Sequence, residues 1–102
     1  MLEISQSEFE RALHTRVAVV DFFASWCMPC VMMGDVLENL SQKYNDANFV
    51  KINIERSPDI SQKFEISSLP CVVLFVDGKE VDRINGNVPE DFIEEKIKRH
   101  LK

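Results

Sequence analysis

The stretch Trp26-Cys27-Met28-Pro29-Cys30 stands between two segments of different hydrophobic periodicity. Before it, Val17–Phe23 is apolar except for Asp21, which is typical of a strand buried on both faces of a sheet. After it, apolar residues recur at helical spacing as far as Tyr44, which predicts a helix that begins near Pro29. The sequence therefore places two cysteines where a buried strand leads into the first turn of a helix.

A thiol at the N-terminus of a helix is favoured in its ionised form. The unpaired N–H groups and the positive end of the helix dipole both stabilise a thiolate, which is the reactive form of cysteine. Cys27 and Cys30 are three positions apart, so their sulfurs lie on neighbouring turns and can meet. One thiol can attack a substrate disulfide and the other can resolve the mixed disulfide. This pattern predicts redox catalysis, with a structural or metal-binding pair as the alternative.

The composition is that of an ordinary globular domain. With 102 residues, 45% of them apolar and 28% charged, the chain fits one domain over residues 1–102. A net charge of −5 argues against a nucleic-acid partner. No stretch reaches the roughly 18 apolar residues of a membrane span, so no membrane partner is expected. Because the N-terminus lacks a basic region followed by an apolar core, we expect a cytoplasmic protein.

The number and spacing of the cysteines argue against a fold stabilised by several disulfides or by a metal ion. The three cysteines, Cys27, Cys30 and Cys71, are too few and odd in number for a disulfide framework. Neither His14 nor His100 lies at a ligand-like spacing from the cysteine pair, so a zinc site is poorly supported. The methionines beside the thiols leave Cu(I) binding as a minor alternative. We expect no metal and no cofactor. We interpret Cys71 as a small buried strand residue, with a third thiol near the active pair that can be modified or form another disulfide as the alternative.

The rest of the chain alternates between strand and helix patterns. The long crossovers predict parallel pairing first, and Asp77-Gly78 predicts a type I′ hairpin and antiparallel pairing later. The expected class is α/β, with a central mixed four- to five-stranded sheet flanked by helices on both faces. The predicted order is an edge strand at Leu2–Ile4, a short helix after the capping box Ser5–Glu8, a strand at Val17–Phe23, a helix from Pro29 to Tyr44, a strand at Phe49–Ile54, a helix from Ser57-Pro58 to Phe64, strands at Cys71–Val76 and Glu80–Ile84, and a last helix opened by Pro89 with Phe92, Ile93, Ile97 and Leu101 on one side.

The chain resembles the thioredoxin family over essentially its whole length. Val20–Cys30 is similar to that family's active-site stretch, and further matches follow in order at family spacing. These are Lys51–Glu55, Leu69-Pro70, Phe75–Gly78 and Gly86. The resemblance implies a thioredoxin fold and a reversible Cys27–Cys30 dithiol that reduces protein disulfides and contributes to cell redox homeostasis. It also implies disulfide-containing protein substrates, a thioredoxin-reductase-type electron donor and a monomer.

The resemblance gives each matching residue a role. Cys27 matches the exposed nucleophile, Cys30 the buried resolving thiol, Asp21 the carboxylate that handles the proton of Cys30, and Lys51 the lysine that pairs with Asp21. Burial in an apolar run should independently raise the pKa of Asp21. The implied substrate-binding residues are Trp26, Met28, Pro29, Leu69 and Pro70, with Pro70 in the cis form.

Several positions depart from the family pattern. Met28 stands where thioredoxins usually have Gly, Val31 replaces a usual Lys, and Asp35 stands where a Pro is expected. Residues between the cysteines tune the relative stability of dithiol and disulfide, so the sequence leaves the reduction potential open. The alternatives are a disulfide oxidant or isomerase with a raised potential, and a redox-silent binding module that uses the Trp26 and Pro70 surface.

Overall fold

The computed structural model describes residues 1–102 and contains one five-stranded mixed sheet with four α-helices. The strands are β1 (Leu2–Ile4), β2 (Val17–Phe23), β3 (Asn48–Asn53), β4 (Cys71–Val76) and β5 (Lys79–Asn85), and the helices are α1 (Phe9–Ala12), α2 (Met28–Lys43), α3 (Pro58–Lys63) and α4 (Glu90–Leu101). None of these helices combines the length and the apolar content needed to cross a membrane.

Strand β2 lies in the middle of the sheet, whose order is β1-β3-β2-β4-β5. Strand β3 pairs in parallel with β1 and β2, whereas β4 pairs antiparallel with β2 and β5. All residues of β2 except Phe23 are buried, because neighbours cover both edges of the strand and helices cover both faces. The predicted mixed sheet with parallel pairing first is confirmed.

Alternation along β2 divides the core into two halves. Val17 and Val19 point to the side covered by α2 and α4, where Met33, Leu37 and Ile97 pack against them. The intervening residues of β2 point to the other side and pack with residues of α1 and α3. That second half includes Phe9, Ala12, Ala18, Val20 and Phe22. By the same alternation Asp21 lies on the α2 side of the sheet, beneath the helix that carries the cysteines.

Two local predictions concern the C-terminal third of the chain. Asp77 and Gly78 have φ angles of 51° and 82°, the positive values that a type I′ hairpin turn requires, so this turn is confirmed. In α4, Ile93 and Ile97 are buried, but Phe92 is exposed. The expectation that Phe92 shares their face is wrong, because adjacent helical positions differ by about 100° and the sheet accommodates only the Ile93 side.

The first turns of the two short helical segments are capped in different ways, one locally and one by a distant residue. Ser5 donates its backbone N–H to the Glu8 carboxylate over 2.8 Å, as the predicted capping box requires. Ser57 is the N-cap residue of α3 and Pro58 is its first residue, but the Ser57 side chain makes no capping hydrogen bond. Instead the Gln6 side-chain oxygen accepts the backbone N–H of Asp59 over 2.9 Å. A residue from the start of the chain therefore caps α3, which sequence spacing does not reveal.

Candidate active site

Helix α2 begins at the cysteine pair. Cys27 is the N-cap residue, Met28 is the first helical residue and Pro29 the second. The Cys30 backbone N–H points to the Cys27 sulfur, with 3.3 Å between nitrogen and Sγ. A sulfur thus occupies the place that a Ser or Asp oxygen takes in other helix caps. Pro29 lies one position later than predicted, still within the first turn, where its missing N–H costs nothing.

Cys27 and Cys30 form a disulfide, with 5.3 Å between their Cα atoms. The prediction that the two sulfurs can meet is therefore confirmed. The expected exposure of Cys27 is wrong, since only 5% of this residue is accessible. Both cysteines pack with Ala24 in a small cluster that Phe23, Ile54 and Leu69 complete. Burial of Cys27 follows from that packing, and access to its sulfur depends on the adjoining groove.

A mostly apolar groove of about 580 Å³ opens beside Cys27. Besides Cys27, its lining includes four of the predicted substrate-binding residues, Trp26, Met28, Pro29 and Leu69, as well as Ile54, Ile66 and Ser67. The last three lie outside the strands and come from chain segments remote from the cysteines, so no local motif marks them. Pro70 does not line the groove; its peptide bond with Leu69 is cis, as the resemblance implies.

A second cavity, of about 330 Å³, lies on the side of Cys30. It brings Cys30 together with Asp21 of β2 and Lys51 of β3, and two further carboxylates on α2, Asp35 and Glu38, line it as well. The two cysteines therefore adjoin different spaces, Cys27 the apolar groove and Cys30 the charged cavity. This separation gives the two thiols different chemical surroundings.

Asp21 is a buried carboxyl group with an unsatisfied oxygen. Only 1% of the residue is accessible, and its Oδ1 has no hydrogen-bond partner. Burial raises the pKa of Asp21 from 3.8 to about 7, and the positive charge of Lys51 offsets part of that rise. The predicted raised pKa is confirmed. A group with this pKa exchanges protons near neutral pH.

Lys51 lies directly opposite Asp21 in the pairing of β3 with β2. Its ammonium nevertheless makes no ion pair with Asp21 and lies 5.5 Å from the centroid of the Phe23 ring. The expected Lys51–Asp21 ion pair is therefore wrong as a direct contact. The long side chain packs across the neighbouring aromatic face, and its charge acts on Asp21 from a greater distance.

Apolar side chains surround the disulfide at the surface. Trp26 is 67% exposed, Met28 is 73% exposed and Met32 is 64% exposed, and Val31 is exposed beside them. Exposed apolar residues that are grouped in this way mark an interaction surface. We call these four residues the apolar rim.

The third cysteine lies apart from the pair. Cys71 is buried at the start of β4, opposite Phe22 of β2, and it packs in the half of the core on the α1 and α3 side. Burial raises the pKa of its thiol, which keeps it protonated and unreactive. Cys71 is thus the small buried strand residue that the sequence predicts. No three side chains of His, Cys, Asp or Glu converge as metal ligands.

Comparison with known proteins finds the family model described as Thioredoxin over residues 1–99. The thioredoxin of Staphylococcus saprophyticus is 36% identical over 102 residues, which cover 99% of this chain and 98% of that protein. Thioredoxin-2 of Saccharomyces cerevisiae is 41% identical over 87 residues, or 83% and 84% of the two chains. A mutant thioredoxin from Halobacterium salinarum superimposes with a TM-score of 0.93 at 29% identity, over 99% of this chain and 90% of the other. Oxidised mitochondrial thioredoxin 3 of Saccharomyces cerevisiae gives a TM-score of 0.88 at 35% identity, over 97% and 94%.

Proposed function

This chain belongs to the thioredoxin family and is a thiol–disulfide oxidoreductase that reduces protein disulfides, and from that premise we propose how Cys27, Cys30 and Asp21 divide the chemistry. Its sheet and helices form the thioredoxin fold. Its substrates are disulfide-containing proteins, and a reductase supplies its electrons. The observation that carries the assignment of roles is the different surroundings of the two sulfurs, one at an apolar groove and the other at a charged cavity.

Cys27 is the attacking thiol. In the dithiol form its sulfur lies at the N-cap of α2, where the Cys30 N–H and the helix dipole stabilise a thiolate. That thiolate attacks one sulfur of the substrate disulfide from the groove side. A new bond joins Cys27 Sγ to the substrate, the substrate S–S bond breaks, and the second substrate sulfur leaves as a thiolate.

Cys30 resolves the mixed disulfide with the help of Asp21. Both residues line the charged cavity, and the Asp21 carboxylate accepts the Cys30 thiol proton directly or through one water molecule. The Cys30 thiolate then attacks Cys27 Sγ and releases the reduced substrate, which leaves the Cys27–Cys30 disulfide that the structure contains. Asp21 suits this step because its pKa of about 7 allows it to accept and return a proton near neutrality.

Lys51 tunes the proton affinity of Asp21, and the groove residues hold the substrate. The charge of Lys51 lowers the pKa of Asp21 from the still higher value that burial alone would produce. An extended segment of the substrate protein lies in the groove against Trp26, Met28, Pro29 and Leu69, with Pro70 holding the loop that carries Leu69. The support is that these side chains lead directly to the Cys27 sulfur.

The remaining expectations concern the molecule as a whole. We propose that residues 1–102 act as a single domain and as a monomer in the cytoplasm, without a nucleic-acid partner. One continuous sheet with core on both faces supports the single domain. The net charge of −5 disfavours nucleic acid, and the unpaired Cys71 suits a reducing compartment.

Turnover of a protein disulfide tests the proposed roles. With dithiothreitol as the electron source, the wild-type chain should reduce insulin, and Cys27→Ser should fall to the rate without enzyme. Cys30→Ser that has been reduced and then freed of dithiothreitol should accumulate a covalent adduct with insulin through Cys27, visible by mass spectrometry. Cys71→Ala serves as the control and should keep wild-type turnover. An adduct formed through Cys30 in the Cys27→Ser protein would reverse the assignment.

The preferred direction of electron flow is a separate question. Met28 replaces the glycine that the family usually has between the cysteines, and a raised potential would make the chain an oxidant or isomerase. Equilibrating the Cys27–Cys30 couple with glutathione buffers gives its potential. A value near that of reducing thioredoxins supports the reductase, and a value near that of disulfide oxidants supports the alternative.

A further inference from the structure

The four methionines of the chain have two different environments. Met28 and Met32 are 73% and 64% exposed, on the same side of the first turns of α2 at a spacing of i and i+4. Met33 is only 1% exposed in the core, and the Met1 side chain is buried as well. The exposed thioethers are therefore confined to the edge of the disulfide site.

An exposed thioether reacts with hydroperoxides. The methionine sulfur attacks the terminal peroxide oxygen and donates two electrons, so the O–O bond breaks and an S=O bond forms. With hydrogen peroxide the products are methionine sulfoxide and water. The side chain thereby changes from flexible and apolar to polar and hydrogen-bond accepting.

We propose that Met28 and Met32 are an oxidation-sensitive pair: their conversion to sulfoxides by a hydroperoxide weakens the docking of protein substrates, while the dithiol keeps its rate of reaction with a small disulfide. This inference rests on the proposed function, since it concerns the surface at which protein substrates reach Cys27. It adds a second redox reaction to the site, at the docking surface instead of at the dithiol.

The contacts explain why docking is affected. Met28 lines the groove together with Trp26 and Cys27, and most of that lining is apolar. A bound protein segment would remove the Met28 sulfoxide oxygen from water, and the apolar lining of the groove offers that oxygen little compensation, which is unfavourable. Met32 belongs to the apolar rim one turn further along α2, where the same change occurs at the edge of the docking surface.

The contacts also explain why the dithiol chemistry persists. The Cys27 sulfur accepts its hydrogen bond from the Cys30 backbone N–H, not from a methionine side chain. Asp21 and Lys51 lie in the cavity on the side of Cys30, whose lining does not include Met28 or Met32. A small disulfide that needs no docking surface should therefore react as before.

The experiment starts from the disulfide form, in which Cys27 and Cys30 are protected from peroxide. The intact chain is treated with hydrogen peroxide, the peroxide is removed, and dithiothreitol restores the dithiol without reducing sulfoxides. Peptide mass spectrometry should find one added oxygen on Met28 and on Met32 and none on Met33. The wild type and the Met28→Leu/Met32→Leu double variant are treated in parallel, and each is compared with its own untreated sample.

Two substrates separate docking from chemistry. Treatment of the wild type should lower kcat/KM for insulin by about fivefold or more. After removal of dithiothreitol, the rate at which the reduced protein reacts with the small disulfide dithiobis(nitrobenzoate) should stay within about twofold. The double variant should lose no insulin activity on treatment, because leucine has no sulfur. A methionine sulfoxide reductase supplied with dithiothreitol should restore the treated wild type.

Three results would overturn the inference. The first is full oxidation of both exposed methionines with insulin turnover unchanged. The second is an equal loss in the treated double variant, and the third is an equal loss with the small disulfide. The proposed function fails differently, because then the untreated wild type would not reduce insulin at all.

Discussion

At the scale of single residues, the protonation state of Asp21 affects both proton transfer at the site and the stability of the fold. Its carboxyl group is buried in the middle strand with one oxygen unpaired, and burial raises its pKa to about 7. Removal of this proton in the folded state leaves a charge that is almost entirely shielded from water, whereas the unfolded chain solvates the charge freely. The property that suits Asp21 to proton transfer therefore destabilises the fold once it is ionised.

The free energy of unfolding should therefore depend on pH through Asp21. Between about pH 4 and pH 7 the folded chain holds the Asp21 proton and the unfolded chain loses it, so stability falls as the pH rises through that window and then levels off. The change from 3.8 to about 7 corresponds to about 4 kcal/mol at most. Asp21→Asn has no such proton, so it should be more stable than the wild type above pH 7, with the gap closing near pH 4. Guanidinium unfolding of the wild type and of Asp21→Asn, both with the Cys27–Cys30 disulfide formed, measures the free energy of unfolding at several pH values.

Lys51 supplies the matched control. Because its positive charge lowers the pKa of Asp21, Lys51→Met should shift the fall in stability to higher pH, and Lys51→Met should have no such effect in the Asp21→Asn background. The same pH dependence in wild type and Asp21→Asn would show that another group is responsible.

Turnover should also slow in Asp21→Asn near neutral pH, since Cys30 loses its proton acceptor.

At the scale of elements, the β4–β5 hairpin depends on its two turn residues. Gly78 has a φ of 82°, and a Cβ atom built there would meet no atom within 4 Å. A side chain at position 78 would therefore destabilise the fold through the positive φ angle alone, without a steric clash. Gly34, inside α2, also has open space around it, but its backbone is helical.

The same substitution should consequently act with opposite signs at these two glycines. Gly78→Ala should lower the free energy of unfolding by about 1 kcal/mol. Gly34→Ala should raise it by about 0.5–1 kcal/mol, since alanine limits the unfolded chain and favours the helix. Urea unfolding of the two variants beside the wild type provides the comparison. A loss of stability in both would mean that local contacts, and not φ, govern these positions.

At the scale of the whole molecule, helix α4 lies apart from the site although it packs in the same half of the core as α2. Helix α4 contributes Ile93 and Ile97 to the half of the core beneath α2, yet no residue of α4 lines the groove or the charged cavity. The geometry of the cysteine pair depends on β2, on the start of α2 and on the loop before β4. Stability and turnover should therefore respond separately to changes in α4.

Ile97 tests this separation. Ile97→Ala should destabilise the fold by about 2–5 kcal/mol through the cavity it leaves, and Ile97→Val by about 0.5–1.5 kcal/mol. Insulin turnover at temperatures where each variant is folded should equal that of the wild type. Thermal unfolding and turnover on the same samples give both readouts. A parallel decline of turnover with stability would indicate that α4 also positions the site.

Local sequence patterns were sufficient to predict most helices and strands and the position of the cysteine pair at the start of a helix. The apolar run of β2, the Asp77-Gly78 turn and the three-residue spacing of the cysteines act through neighbours in the chain, so their consequences can be predicted from short segments. Gln6 as the cap of α3 could not be found in this way, because its partners lie 53 positions away. The same holds for Ile54 and Ile66 in the groove.

The sequence by itself determined the order of the elements, the mixed sheet and the delivery of two cysteines to a helix N-terminus, because backbone periodicity and turn conformations depend on nearby residues. Only the tertiary structure decided that Cys27 is buried, that Lys51 lies over Phe23 instead of pairing with Asp21, and which residues form the groove and the charged cavity. The physical reason is that solvent access and charge separation depend on how distant segments pack around each side chain.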